Sequence, residues 1–148
     1  MIVVAQRCSS ASVSVDGAIV SKIDVGLLLL VGIEKGDKQL DIQKVVNKIS
    51  NLRMFEDENN KMNLSVMDVN GSILVVSQFT LCGSVKKGRR PSFVNAETPE
   101  LSLTLYENLM TSFKEVGIHT FGGSFGKMMN VELTNEGPAT FIINSKEL

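Results

Sequence analysis

Eight consecutive residues, Gly26-Leu27-Leu28-Leu29-Leu30-Val31-Gly32-Ile33, carry no polar side chain. A run this short cannot cross a bilayer, which needs about 20 apolar residues. It is too apolar to face water on either side, so it predicts a strand buried on both faces of a sheet. Everything else in the fold must then supply two covering layers. The chain has 148 residues, enough for one domain, and residues 1–148 are expected to form that single domain. At this length roughly 70% of the unfolded surface can be buried, so neither a metal nor a disulfide is needed for folding.

The segments around this run fill out the expectation. Residues 2–7 read as a strand. Ala11 to Val15 alternates, Asp16-Gly17 follows, and Ala18 to Ile23 is again strand-like, which predicts a two-residue hairpin. Asp37 is placed to cap a helix with apolar positions at Leu40, Ile42, Val45, Val46, Ile49 and Leu52. A second hairpin is expected at Asn70-Gly71, leading into the strand Ser72 to Phe79. Thr98-Pro99 opens a second helix with the stripe Leu101, Leu105, Leu109, Phe113 and Val116, ending at Gly117. Two last strands, Met128 to Thr134 and Thr140 to Ile143, flank a turn at Asn135-Glu136-Gly137-Pro138. The expected fold is α/β bordering α+β: one curved mixed sheet of about eight strands with two helices packed on it.

Several chemistries are excluded early. Fifteen Lys and Arg face sixteen Asp and Glu, so the chain is not globally basic, though a local basic patch remains open. There is one histidine, His119, and no GxSxG elbow, P-loop or GxGxxG. His119 reads as a structural or surface residue. Glu56, Asp57 and Glu58 lack calcium-loop spacing and read as a solvated turn. Cys8 and Cys82 lie far apart with no histidine beside them, so they read as reduced thiols, and no metal site or cofactor is expected. No signal peptide or membrane segment is evident, and a cytoplasmic location is expected.

Three segments hold more polar specificity than a core requires. Ser77-Gln78-Phe79-Thr80-Leu81 ends a very apolar strand, where it is either a polar exposed face or one wall of a site. Lys86-Lys87-Gly88-Arg89-Arg90 puts four cations in five residues, either a solvated loop or a grip for a polyanion. Asn135-Glu136-Gly137-Pro138-Ala139-Thr140 is by itself a turn. Gly122 to Gly126 is glycine-rich but lacks a phosphate-binding lysine.

Together these segments resemble the D-aminoacyl-tRNA deacylases of the bacterial and eukaryotic type. The likeness runs along the whole chain, from Val3-Val4-Ala5-Gln6-Arg7 through Asn60-Lys61-Met62-Asn63-Leu64-Ser65 to the Ser-Gln-Phe-Thr-Leu and Asn-x-Gly-Pro-x-Thr segments, which stand intact. The resemblance implies the fold of that family and a homodimeric hydrolase that cleaves the ester between a D-amino acid and the terminal adenosine of tRNA. It implies a cis Gly137–Pro138 bond reaching into the partner's active site as a chiral gate, held by Arg7. Ser77, Gln78, Phe79 and Thr80 would form the catalytic wall, and Phe125 and Met129 the adenine pocket. Lys86, Lys87, Arg89 and Arg90 would meet tRNA phosphates. The competing reading is an RNA-binding module without catalysis.

Overall fold

The computed structural model describes residues 1–148. Its elements are β1 (Ile2–Val15), β2 (Ala18–Ile23), β3 (Gly26–Gly32), α1 (Gln39–Asn51), β4 (Phe55–Glu56), β5 (Met62–Leu64), β6 (Ser72–Ser77), α2 (Pro99–Glu115), β7 (His119–Gly122) and β8 (Asn130–Asn144). Short 3₁₀ helices cover Phe79–Cys82 and Ser145–Glu147. The main sheet runs β2-β1-β3-β6-β7, with β8 on the other edge of β1; β4 and β5 form a separate small sheet. The Ser21 hydroxyl donates to the Gly122 carbonyl at 2.5 Å, tying β2 to β7 so that the curved sheet nearly closes.

The apolar run forms the strand expected of it. Leu27, Leu29 and Val31 face the helices, alongside Val3, Ala5, Ile73, Val75, and Ile42 of α1 and Leu109 and Phe113 of α2. Leu28 faces the inside of the curve with Cys8, Val13, Leu74 and Val76. Side chains alternate across a strand, so only an uninterrupted apolar sequence satisfies two apolar faces. The Asp16-Gly17 hairpin is present, with φ of 50° and 81° as its turn requires. Pro99 opens α2 after Thr98, as the sequence indicates.

Four local expectations are corrected. The turn at Asn70-Gly71 does not make a hairpin: β6 pairs in parallel with β3 on one side and with β7 on the other. A strand apolar on both faces gains most from an interior position, which here means between parallel neighbours. The residues before β8's Gly-Pro and those after it form one 15-residue strand, antiparallel to β1 with register shifts opposite Arg7 to Ser10. Asp37 does not cap α1. Its carboxylate is buried and takes the Met1 ammonium at 2.7 Å, a charged partner that outcompetes a neutral helix amide. The helix stripes are also narrower than expected: Leu40, Leu101 and Val116 are exposed, while Tyr106 is buried with Leu105 and Leu109.

Candidate functional site

A cleft of about 640 Å³ opens in the surface. One wall is the end of β6 and the turn after it, Ser77 to Thr80. Phe125 to Met129 form the opposite wall, the start of α2 contributes Pro99 and Ser102, and Val31 and Ile33 lie at the base. The turn is brought close by Gly32: a Cβ there would stand 2.9 Å from the Leu81 Cβ, 3.0 Å from the Cys82 Sγ and 3.1 Å from the Gln78 carbonyl. The strand beneath is anchored by Ile73 to Val76, all buried, so the polar turn stands on a rigid base.

The chemistry of this wall is backbone and amide rather than acid and base. The Gln78 side-chain amide donates to the Thr80 hydroxyl at 2.5 Å. An amide cannot accept the proton that a nucleophilic hydroxyl must lose. The Leu81 N–H donates back to Gln78 O at 3.1 Å, and Gly83 N–H to Thr80 O at 3.0 Å. Phe79 and Thr80 open the 3₁₀ turn, where N–H groups have no intrahelical acceptor. His119 is exposed at the start of β7 and does not line the cleft. Cys82 is buried beneath the turn, and burial pushes its thiol up to about 11, which keeps it protonated and unreactive near neutral pH.

The aromatic wall is braced from behind. The Tyr106 hydroxyl donates to the Val75 carbonyl at 2.9 Å, and its ring lies 5.7 Å from that of Phe125. Burial pushes the Tyr106 phenol up to about 12, so it remains a donor. On the other side Phe79 and Phe93 meet edge to face at 5.1 Å.

The sequence-derived residues thus separate into three places. Ser77, Gln78, Phe79, Thr80, Phe125 and Met129 line one cleft although 44 residues of chain separate the two walls. Lys86, Lys87, Arg89 and Arg90 lie exposed on a loop pinned at its neck by paired Ser84 and Ser92, and none of them is in a salt bridge. The loop joins the cleft through the Phe79–Phe93 contact. Gly137 and Pro138 lie elsewhere: the bond between them is cis, both residues are exposed, and neither lines the cleft of its own chain.

Arg7 sits behind that segment, only 4% exposed. Its Nε donates to Glu136 O at 2.9 Å and its Nη1 to Met54 O at 2.8 Å, while Nη2 lies 3.6 Å from the Glu56 carboxylate. The Asn135 amide returns a bond to the Arg7 carbonyl at 3.0 Å. A buried guanidinium with three partners fixes the segment before the glycine from both its backbone and its flank.

Sequence reading missed Glu97, Ser102 and Lys127 on the cleft. Glu97 and Ser102 flank a helix start that reads only as a capping signal, and Lys127 is one cation after a glycine-rich loop. Of the residues that hold Arg7, Met54 carried no sequence signal and Glu56 read only as part of a solvated turn.

Residues 4–144 match the profile of the family described as D-Tyr-tRNA(Tyr) deacylase. A D-aminoacyl-tRNA deacylase of Persephonella marina is 53% identical over 148 residues, covering 100% of both chains. That of Aquifex aeolicus is 52% identical over 145 residues, 98% of each chain. Among solved structures, a c-Myc DNA unwinding element binding protein superposes with a TM-score of 0.93 at 39% identity, over 97% of this chain and 98% of the other. A probable eukaryotic D-amino acid tRNA deacylase gives 0.82 at 16% identity, over 96% and 97%, which shows likeness of fold.

Proposed function

This chain belongs to the D-Tyr-tRNA(Tyr) deacylase family, and from that premise we infer how it works. It is a hydrolase that cleaves the ester of D-aminoacyl-tRNA, releasing the D-amino acid and tRNA with a free 3′ end. The observation that carries the mechanism is a cleft with amide, hydroxyl and backbone donors at Ser77 to Thr80, lined by no histidine, whose one carboxylate, Glu97, is bonded to the Thr98 and Gly36 N–H groups and not to this wall.

Water adds to the ester carbonyl, and the oxyanion that forms is stabilised by the N–H groups of Phe79 and Thr80. The carbon–oxygen bond to the ribose then breaks and the departing oxygen is protonated. The neighbouring ribose hydroxyl of the substrate assists the water, because Thr80 is paired with an amide and has no base to deprotonate it. Adenine stands against Phe125 and Met129. The cations Lys86, Lys87, Arg89 and Arg90 contact tRNA phosphates further along the acceptor, where reaction occurs in the cytoplasm.

Selection for the D-form comes from the Gly137–Pro138 segment of a second copy. D- and L-residues differ by exchange of hydrogen and side chain at one carbon, and a wall that touches hydrogen rejects a β-carbon. Backbone makes a better wall than a side chain because it has no rotamer to escape through. Supporting a homodimer, the segment is exposed and away from its own cleft, and β8 pairs only with β1, leaving a long open edge with Ile142 78% exposed. Arg7 holds the segment by its grip on Glu136.

Deacylation of D-alanyl-, L-alanyl- and glycyl-tRNA at equal enzyme concentration tests this reading. D-alanyl-tRNA is cleaved, L-alanyl-tRNA survives, and glycyl-tRNA, which has no β-carbon to clash, is cleaved at a rate comparable with the D-substrate. Strong protection of glycyl-tRNA sinks the steric gate, and survival of all three sinks the hydrolase.

A further inference from the structure

We propose that Lys127 binds the phosphodiester on the 5′ side of the terminal adenosine, which extends the deacylase reading, on which it rests, from the nucleoside to the strand. Two charged side chains line the cleft, Glu97 and Lys127. Glu97 is turned back on its own surroundings: one carboxylate oxygen accepts from Thr98 N–H at 2.8 Å and the other from Gly36 N–H at 3.4 Å. Lys127 is exposed and forms no ion pair, since the chain's four salt bridges involve the Met1 ammonium, Arg7 and Lys146 as cations. It is therefore the one cation on the cleft, with no carboxylate within ion-pair distance.

Its position is fixed by the backbone. Gly126 has φ of 73°, and the Lys127 N–H closes the turn onto Ser124 O at 3.2 Å. That turn sets Lys127 between Phe125 and Met129, the two residues against which the base stands. A nucleoside held there by its base and by its 3′-ester has one further handle, the 5′-oxygen, and in tRNA that oxygen carries a phosphodiester with one negative charge. An ammonium is a compact point charge suited to such a group. Low-dielectric walls around it weaken screening and strengthen the attraction. The other polar end of the substrate is excluded as its partner, because the amino acid's α-ammonium would repel it.

The test compares D-tyrosyl-tRNA with D-tyrosyl-adenosine, which lacks the phosphodiester, using wild type, Lys127→Ala and Lys127→Arg. Lys127→Ala is expected to raise KM for the tRNA about fivefold to tenfold with kcat within about twofold, as loss of one charge-assisted contact implies. The slope of log(kcat/KM) against log salt should fall by about 0.7, the value for one contact to a single strand. Kinetics on D-tyrosyl-adenosine should not change, and Lys127→Arg should restore the tRNA values. An unchanged KM and salt slope on tRNA overturns the proposal, and so does an equal loss on both substrates. A wild type inactive on both substrates overturns the deacylase reading itself and the proposal with it.

Discussion

The turn after β6 and the Gly137–Pro138 segment of β8 both put polar chain or bare backbone forward, yet the molecule treats them in opposite ways. The first stands on a strand buried on both faces and is pressed against Gly32, so its amides are placed by the core. The second lies exposed on an edge strand and is held by one buried side chain, Arg7. Bond cleavage needs donors fixed to within about 0.5 Å, which a packed base supplies. Selection by clash needs a wall that projects beyond its own chain, and an edge strand supplies that instead. In the cross-subunit mechanism proposed above, the contrast is how one short chain carries two halves of a site that do not meet within it.

The contrast breaks most completely at the open edge of β8. Ile142→Glu places a charge on a side chain that is 78% exposed, so the fold itself should be unaffected. Sedimentation should show a monomer, and L-tyrosyl-tRNA should be cleaved at a rate within about tenfold of D-tyrosyl-tRNA, because the gate no longer reaches a cleft. A monomer that still rejects L-tyrosyl-tRNA would end the cross-subunit reading. Next comes Arg7→Met, which removes a buried cation and leaves the Glu136 and Met54 carbonyls without their donor. It should cost about 3 kcal/mol in urea unfolding, and the surviving folded protein should hydrolyse L-tyrosyl-tRNA measurably.

Gly32→Ala acts on the other region. The new methyl meets the Leu81 Cβ and the Cys82 Sγ at about 3 Å, and displacing the turn should cost about 1–3 kcal/mol. Activity on D-tyrosyl-tRNA should drop through kcat while the D-to-L ratio holds. A changed ratio would show that the two regions are not separable. The smallest effect is expected from Thr80→Ala, which removes only the acceptor of the Gln78 amide and should lower kcat by less than about tenfold. A substrate ending in 2′-deoxyadenosine should be hydrolysed poorly by the wild type. A dead Thr80→Ala together with a trapped acyl-enzyme would restore Thr80 as nucleophile.

Much of this architecture was legible before any coordinates. The hairpin at Asp16-Gly17, the entry to α2 at Thr98-Pro99 and the doubly buried strand from Gly26 each depend on dihedral preferences or side-chain periodicity among near neighbours, and near neighbours are what a sequence displays. The Ser77 to Thr80 wall of the cleft was visible for the same reason, as an abrupt change from Leu74-Val75-Val76 to hydroxyl and amide side chains.

Other features depended on residues far apart in the chain. Parallel pairing of β6 with β3 was not readable from Asn70-Gly71, because pairing partners are chosen by which buried faces fit together. The fusion of the last two expected strands into β8 followed from β1, more than a hundred residues away, which pairs with the chain on both sides of the interruption. Asp37 left its helix for an ammonium that only the folded chain brings near. Lys127 is one more surface cation in the sequence, and only folding sets it in the cleft with Ser77 to Thr80 and outside any ion pair. Local geometry was thus determined by the sequence alone. The pairing of strands and the environment of each charge were decided only by tertiary structure, since burial and electrostatics are set by whichever distant groups packing brings within a few ångströms.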